Sequence, residues 1–265
     1  MLQKSGSASH SSWVEYRPAG QDRRLRMYCF PYAGGSAHIF RNWQRFFPAK
    51  VEVCPVQLPG RGKRINEPPF AKVETLVQAI ADAVFENPLD PFVFYGHSMG
   101  ALISFELARE LRRRGSIGPR HLFLSGRRAP TVPDREPATF NLPHDEFIAE
   151  LKRLKGTPPE LLAVPEAAEL FFPLLRADFE IVDTYVYANE EPLSCPITVY
   201  GGLQDEFVLL EHLREWHKQT SATCKERMFS GDHFFIQNEK SEFFNVLLTD
   251  VLKTLDTLDG QGRPR

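Results

Sequence analysis

The chain has 265 residues, of which 42% are hydrophobic and 25% charged, as in a soluble globular protein of one large or two small domains. Its formal net charge of -2 argues against a general attraction to nucleic acid or to an anionic membrane. The apolar runs are far shorter than the roughly 20 residues of a membrane helix. Four scattered cysteines form no CxxC and no metal-like spacing with histidine, which predicts reduced thiols, no metal site and a cytoplasmic location.

Six apolar, β-rich segments follow one another along the chain: LRMYCF, VEVCPVQL, PFVFYG, HLFLSG, ITVYGG and CKERMF. Most are continuously apolar rather than alternating, which is typical of strands covered on both faces. Helical patterns lie between them, in HIFRNWQRFF, VETLVQAIADAVF and MGALISFELARELRRR, and Gly115 provides a stop signal after the third. This alternation predicts an α/β fold with a mostly parallel sheet and helices on both faces.

One region, from about 127 to 194, contains no good strand. It holds two amphipathic helical stretches, HDEFIAELKRL and PEAAELFFPLLRADFEIVDTYV. An insertion at this point would lie over the carboxyl edge of the sheet, where open α/β sheets bind ligands, so we expect either a helical lid over an apolar cavity or an extension of the core. We predict one domain over 13–258, with disordered tails at 1–12 and 259–265.

The stretch GHSMG matches the G-x-S-x-G pattern, which is weak alone because only three positions are fixed. Here a strand precedes it and a helix follows, the context of the nucleophile elbow of α/β-hydrolases. Gly96 and Gly100 would lie where the turn leaves no room for a β-carbon. Ser98 is expected in a strained conformation at a helix N-terminus, where free N–H groups favour developing negative charge. We therefore predict that Ser98 is a nucleophile.

A serine nucleophile needs a base that removes its proton. His233 lies in a turn after the last strand and before the final helix, which is the position of the base in the hydrolase chain order Ser, acid, His. The remaining histidines lie in the N-terminal tail, beside the serine, at a strand start, or on polar and helical stretches: His10, His97, His121, His38, His144, His212 and His217. His233 is the predicted base.

An acidic side chain must orient that histidine. Asp205 follows the strand ITVYGG directly and lies between Ser98 and His233 in the chain, so it is the favoured acid. Four other carboxylates are alternatives: Glu206, Asp232, Asp178 and Asp183. The oxyanion hole requires two backbone N–H donors. We expect them from Met99, after the serine, and from Ala33 in the loop of CFPYAGGSAHIF, with Tyr32 as the alternative to Ala33.

Six segments, CFPYAGGSA, QLPGRGKR, YGHSMGAL, LRADFEIVDTY, GGLQDEFV and FSGDHFFI, together resemble the type II thioesterases. These stand-alone α/β-hydrolases accompany nonribosomal peptide and polyketide synthases, and the medium-chain fatty acid synthase thioesterase is a relative. The resemblance covers roughly residues 13–255. It implies the triad Ser98, Asp205 and His233, with Ala33 and Met99 as the oxyanion donors.

The resemblance also implies a reaction, the hydrolysis of an acyl thioester on the phosphopantetheine arm of an acyl or peptidyl carrier protein. The usual task of the family is to clear stalled or misprimed arms, and no metal or redox cofactor is required. An acyl chain would contact aromatic side chains in the lid and the first loop: Tyr32, Phe147, Phe172 and Phe179. Packing within the helices is the alternative role for these phenylalanines.

Other functions remain open for this sequence. A carboxylester hydrolase or lipase would use the same triad and lid, and a non-catalytic relative would bind acyl groups without hydrolysing them. Transfer of the acyl group to a nucleophile other than water is a further alternative. Basic residues at two places, Arg61, Lys63 and Arg64, and Arg112 to Arg114, could contact an acidic carrier protein or be ordinary solvated charges.

Overall fold

The computed structural model describes residues 10–15, 22–86, 88, 90–133, 137–238 and 242–260. The predicted disordered tails fall largely outside this range, at 1–9 and 261–265. Within the described residues, a short helix α1 spans His10–Trp13, and the last helix continues to Gly260. Trp13 is buried and the Arg64 guanidinium stacks 3.9 Å from its ring centroid, which ties the start of the chain to the domain. Among the described residues, helix α1 thus starts at His10, three residues before the predicted start of the domain.

Six strands form one parallel sheet in the order β2-β1-β3-β4-β5-β6. Their bounds are β1 Leu25–Phe30, β2 Val51–Pro55, β3 Phe92–His97, β4 Leu122–Ser125, β5 Ile197–Gly202 and β6 Cys224–Phe229. Every residue of β2 to β5 is buried, as their continuous apolar sequences predict, whereas β6 lies at an edge and is partly exposed. The predicted parallel sheet is confirmed.

The strand order places a topological switch between β1 and β3. The chain leaves β1 towards β2 on one side and leaves β3 towards β4 on the other. Loops that diverge in this way open a crevice at the carboxyl ends of the two strands, and ligands of open α/β sheets bind there. The loop after β1 carries YAGGS, and the turn after β3 carries Ser98.

Helices cover both faces of the sheet. The helices of the described residues after α1 are α2 Val73–Val84, α3 Met99–Arg113, α4 His144–Leu154, α5 Pro159–Leu162, α6 Pro165–Asp183, α7 Leu210–Arg214 and α8 Phe243–Gly260. Alternate strand residues enter opposite cores: Phe92 and Phe94 pack with α2 and α3, and Val93 and Tyr95 pack with α8. Because an apolar core covers each face of the sheet, its inner strands are buried.

The stretch HIFRNWQRFF does not form the single helix that its pattern predicts. It makes two 3-10 turns, Ala37–Phe40 and Trp43–Phe46. The aromatic residues Phe40, Trp43 and Phe46 recur every three residues, the repeat of a 3-10 turn, which brings such side chains into line. Trp43 packs on the sheet with its ring 4.8 Å from that of Tyr95, so tertiary packing determines the local conformation.

Between β4 and β5 the chain forms the helical insertion, residues 126–196, which contains α4, α5 and α6. The helix predicted over HDEFIAELKRL is α4, with the same bounds. A small apolar cluster joins α4 to α6 and consists of Phe147, Leu151, Phe172 and Leu175. The insertion thus has a core of its own, and α6 also reaches the loops that follow β1 and β2.

Candidate active site

The turn between β3 and α3 has the geometry that the GHSMG pattern predicts. Ser98 has φ 54° and ψ -114°, a region that side-chain-bearing residues rarely adopt and that costs about 1–3 kcal/mol. A β-carbon on Gly96 would lie 2.0 Å from the Gly100 carbonyl oxygen. A β-carbon on Gly100 would lie 2.0 Å from the Phe30 carbonyl oxygen, so the neighbouring strand β1 imposes the second glycine. The turn therefore holds Ser98 rigidly between the end of β3 and the start of α3.

His233 and Asp205 meet at the carboxyl ends of β6 and β5. The His233 Nδ1 atom lies 2.7 Å from Asp205 Oδ2, and the Asp205 side chain is fully buried. Asp205 Oδ1 accepts hydrogen bonds from the backbone N–H groups of Phe207 at 2.9 Å and Val208 at 3.1 Å. Because the carboxylate accepts these bonds, it is held in place and keeps the proton on Nδ1 of the ring, which leaves Nε2 as the basic atom.

The alternative acids have other partners. Asp232 Oδ1 accepts from the Phe234 N–H, and Glu206 is exposed. Asp183 Oδ2 accepts from the Thr139 and Phe140 N–H groups at 2.6 and 3.0 Å. Asp178 is paired with Arg61. Of the five carboxylates considered, Asp205 is the one that the structure brings to His233.

The loop after β1 contributes its backbone to the same site. Gly34 N–H donates to Asp178 Oδ2 at 2.7 Å and Gly35 N–H donates to the Tyr32 carbonyl at 2.9 Å. Ala33, between these turn residues, lines the cavity together with Ser98. Met99 is the first residue of α3, where a helical N–H group has no acceptor within the helix. The two predicted oxyanion donors thus flank the crevice between β1 and β3.

A cavity of about 130 Å³ joins these groups. Its wall includes Ser98, His233, Tyr32, Ala33 and Phe179, and also Asp183, one of the alternative acids. The other residues of the wall were not candidates from the sequence: Gly126, Arg127, Arg128, Pro137, Thr139, Glu150, Leu151, Arg153, Leu154, Gly156, Thr157, Val182, Phe207, Val208 and Phe234. Of the predicted acyl contacts, Tyr32 and Phe179 lie at the cavity. Phe147 and Phe172 do not, because they pack against each other in the core of the insertion with ring centroids 5.6 Å apart.

A charged pair on α4 borders the cavity. Arg153 donates to both carboxylate oxygens of Glu150, at 2.8 and 2.7 Å, and its guanidinium carbon lies 4.9 Å from the ring centroid of Phe207. Phe207 follows Asp205 by two residues, and its ring lies 6.1 Å from that of His233. The insertion therefore contacts the loop that carries the acid. In the sequence, only the predicted insertion pointed to this charged pair, because neither Glu150 nor Arg153 belongs to a recognised catalytic motif.

His97, the residue before Ser98, lies fully buried behind the site. Its Nδ1 atom is 2.8 Å from the Ser125 hydroxyl, and its ring centroid is 5.1 Å from that of His233. Burial holds the pKa of His97 well below its usual value, and the neighbouring His233 lowers it further. His97 is therefore neutral at physiological pH and packs beside the His233 ring.

Burial also lowers the pKa of His121, to about 3, with Lys225 adding to the shift. Its ring nitrogens contact Thr198 Oγ1 at 2.9 Å and Thr254 Oγ1 at 3.1 Å. Below pH 6.5 the unfolded chain protonates this histidine and the folded chain does not, so the free energy of unfolding falls as the pH falls.

We expect His121→Gln to lessen this pH dependence. Urea unfolding at pH 7.5 and pH 5.0 should show a loss of unfolding free energy that is about 2 kcal/mol smaller in the variant than in the wild type. The matched control is His38→Gln, since His38 is exposed. Equal losses in wild type and His121→Gln would contradict the assignment of a neutral, partly buried His121.

The basic residues considered for a carrier protein are mostly paired. Arg61 and Arg64 are buried, the first against Asp178 and the second against Glu67. The run Arg112 to Arg114 contacts Glu190, Glu110 and Asp82. Lys63 is exposed and lies 3.9 Å from Glu15. These arginines are thus paired with carboxylates within the fold, and Arg61 and Arg64 are buried as well.

In the described part of the chain, no three His, Cys, Asp or Glu side chains are grouped so that they could hold a metal ion. Across these same residues, the helices are too short or too polar for one to cross a membrane. The four cysteines are free thiols, and burial raises the pKa of Cys29 and Cys54 well above the usual value.

Comparison with known proteins identifies the family. A family model described as Thioesterase domain matches residues 25–255, which is most of the chain. The chain belongs to the thioesterase family. The gramicidin S biosynthesis protein GrsT of Aneurinibacillus migulanus is 42% identical over 89% of this chain and 93% of its own. Linear gramicidin dehydrogenase LgrE of Brevibacillus parabrevis is 43% identical over 96% of this chain and 98% of its own. The word dehydrogenase belongs to the name of that relative and is not carried over to this chain.

A solved structure also matches this thioesterase over nearly its whole length. The type II thioesterase BorB from the borrelidin biosynthetic cluster has a TM-score of 0.78 and 29% identity, and the match covers 92% of this chain and 98% of that one. The fold of this thioesterase is accordingly the predicted α/β-hydrolase fold, and the protein is a hydrolase that acts on thioesters. The predicted resemblance to type II thioesterases is confirmed.

Proposed function

We propose that this thioesterase removes acyl groups from the phosphopantetheine arm of acyl or peptidyl carrier proteins and so clears stalled or misprimed arms of a peptide or polyketide synthase. The observation that carries the proposal is the 2.7 Å contact between Asp205 and His233, whose ring lines the same cavity as Ser98. The names of two similar proteins, one of gramicidin S biosynthesis and one of the borrelidin cluster, support a synthase as partner. We place the reaction in the cytoplasm, beside that synthase.

Acylation begins with Ser98. Nε2 of His233 takes the hydroxyl proton as Oγ attacks the thioester carbonyl carbon, and Asp205 stabilises the imidazolium that forms. The negative charge that develops on the carbonyl oxygen is met by the N–H groups of Met99 and Ala33, at the crevice between β1 and β3. Collapse of the tetrahedral intermediate expels the pantetheine thiolate, which receives the proton from His233. The products of this step are the acyl-Ser98 ester and the free arm.

Deacylation repeats the sequence with water. His233 removes a proton from a water molecule, hydroxide adds to the acyl-Ser98 carbonyl, and the same two N–H groups hold the second oxyanion. Ser98 then leaves with the proton from His233, and a carboxylic acid is released. The fully buried carboxylate of Asp205 serves both half-reactions because it stays bonded to the Phe207 and Val208 N–H groups.

The insertion is proposed as the lid over this reaction. Phe179 of α6 and Leu151 of α4 supply apolar surface to the cavity, and Tyr32 and Phe234 border it from the loops after β1 and β6. Apolar walls of this kind suit an acyl chain, and a crevice at the strand ends suits the extended arm that delivers it.

The test is a panel of carrier proteins loaded with different acyl groups, with release followed by intact-protein mass spectrometry. We expect hydrolysis of acyl-pantetheine thioesters with a kcat/KM at least about tenfold above that of oxygen esters with the same acyl group, a difference of about 1.4 kcal/mol in transition-state stabilisation.

Each substrate in the panel has a matched control, a pantetheine analogue in which oxygen replaces the thioester sulfur. A preference for the oxygen ester would contradict the proposal and favour a carboxylester hydrolase. Formation of an ester or amide from an added nucleophile, with no free acid, would favour acyl transfer instead.

A further inference from the structure

Three of the segments that carry the resemblance to type II thioesterases, CFPYAGGSA, QLPGRGKR and LRADFEIVDTY, meet at one buried ion pair. Asp178 of α6 and Arg61 of the loop after β2 are 0% and 3% exposed. Arg61 Nη1 donates to Asp178 Oδ2 and Arg61 Nη2 donates to Asp178 Oδ1, both at 2.7 Å. This is the paired, planar geometry in which arginine binds a carboxylate most strongly.

The ion pair also holds the backbone of the loop after β1. Gly34 N–H donates to Asp178 Oδ2 at 2.7 Å, and Arg61 Nη1 donates to the Gly35 carbonyl at 3.0 Å. Arg61 Nε donates to the Pro59 carbonyl at 3.2 Å, which anchors the guanidinium to its own loop. The two charged side chains thus bind the Gly34 N–H and the Gly35 carbonyl, in the two residues that follow Ala33, the proposed oxyanion donor.

These contacts set the conformation of the turn that contains Ala33. Gly35 N–H donates to the Tyr32 carbonyl, which closes a β-turn with Ala33 and Gly34 as its central residues. Gly34 has φ +77°, the positive value that the third residue of a type II turn requires. The peptide N–H between the two central residues is the one that Asp178 accepts, so this bond fixes the plane of the turn and the direction of the Ala33 N–H beside it.

Helix α6 packs closely on the same turn. A β-carbon on Gly34 would lie 2.6 Å from Leu175 Cδ2, and one on Gly60 would lie 3.2 Å from Leu174 Cδ1. Phe179, the residue after Asp178, lines the cavity. The helix that contacts the acyl group is therefore the helix that orients the oxyanion loop.

We propose that Asp178 and Arg61 are positioning residues for thioester hydrolysis, which hold the Ala33 N–H towards the developing oxyanion when α6 is docked on the domain. A buried ion pair is expensive to desolvate and is often no more stabilising than apolar residues of the same size, so stability alone accounts poorly for its presence. The proposal rests on the catalytic roles proposed above for Ser98 and Ala33.

The first test is Asp178→Asn, which keeps the side-chain shape and removes the charge and one acceptor. Loss of an oxyanion donor lowers kcat by about 10²- to 10³-fold, so misdirecting one should lower kcat by about 10- to 100-fold. KM should change by less than about threefold, because the contact strengthens in the transition state rather than in the substrate complex. A trifluoromethyl ketone analogue of acyl-pantetheine, which forms an oxyanion on Ser98, should lose affinity by the same factor as kcat/KM.

The matched control is Glu106→Gln, which breaks another buried ion pair, that of Glu106 with Arg109 on α3. It should lower the Tm and leave both kcat and the affinity for the ketone unchanged. The control separates a general loss of stability from a loss of oxyanion binding.

A second variant removes the cost of the unpaired buried charge that Asp178→Asn leaves on Arg61. Arg61→Met combined with Asp178→Leu should recover much of the Tm, because apolar replacement of a buried ion pair is often neutral. Its kcat should remain about 10- to 100-fold low, since a leucine side chain at position 178 offers the Gly34 N–H no acceptor. Recovery of kcat in step with Tm, or wild-type kcat in folded Asp178→Asn, would overturn the proposal. If the wild-type enzyme hydrolysed no acyl thioester, the proposed function itself would fail.

Discussion

Replacing Ser98 by alanine is expected to lower kcat for acyl-thioester hydrolysis by about 10⁵- to 10⁶-fold, because no acyl-enzyme can form. The fold should survive, because the backbone around Ser98 holds the turn in place. The Ser98 N–H donates to the Ser125 carbonyl, and neighbouring backbone carbonyls pack closely on Gly96 and Gly100. Single-turnover hydrolysis of an acyl carrier protein and the Tm of the variant measure the two effects separately.

The control for this variant is Ser221→Ala. Ser221 donates a hydrogen bond to the Leu193 carbonyl at 3.3 Å and lies outside the cavity wall, so kcat should stay at the wild-type value. A fluorophosphonate probe should add its mass to wild type and to Ser221→Ala and not to Ser98→Ala. If Ser98→Ala kept more than about a hundredth of kcat, another group would be the nucleophile, and the proposed mechanism would be wrong.

Replacing Asp205 by asparagine is expected to lower kcat by about 10⁴-fold, the second largest effect. The amide can still accept from the Phe207 and Val208 N–H groups, so the loop should keep its shape. At His233 Nδ1, however, an amide NH₂ donates where the carboxylate accepted, and the ring then carries its proton on Nε2. In that tautomer Nε2 has no free lone pair and does not take the proton of Ser98.

Two neighbouring carboxylates provide matched controls, because both precede or follow a triad residue directly. Asp232→Asn and Glu206→Gln should keep kcat within about threefold of wild type, since Asp232 contacts the Phe234 N–H and Glu206 is exposed. A loss of about 10⁴-fold in either control, with Asp205→Asn nearly unaffected, would move the acid to another residue. The pH profile of kcat/KM measured for all three variants reports whether His233 still titrates as the base.

The sheet and the nucleophile turn were predictable because they depend on local sequence. Continuous apolar segments such as PFVFYG can be satisfied only in strands covered on both faces, and Gly96 is required wherever a chain turns so sharply. The helix over 144–154 was predictable for the same reason, since its apolar residues follow the 3.6-residue repeat. In each case neighbouring residues contain the information that determines the structure.

Aromatic residues were less predictable, because their partners are distant in the chain. Trp43 begins the second of two 3-10 turns and packs against Tyr95 and Phe244 of α8, although its segment has a helical pattern. Phe147 and Phe172 were candidates for the acyl site and instead form the core of the insertion. An aromatic side chain has the same helical spacing whether it faces a core or a cavity, so sequence periodicity does not distinguish the two.

The sequence by itself determined the six strands of this thioesterase and the chain order of Ser98, Asp205 and His233, because strand ends and tight turns depend on short runs of neighbouring residues. Only the tertiary structure decided which distant groups meet: Asp205 with His233 at 2.7 Å, and Asp178 with Arg61 and Gly34. Arg61 resembles a solvated surface charge in sequence, and its burial beside α6 depends on contacts across 117 residues of chain. Such pairings follow from the packing of whole elements, which short-range patterns do not specify.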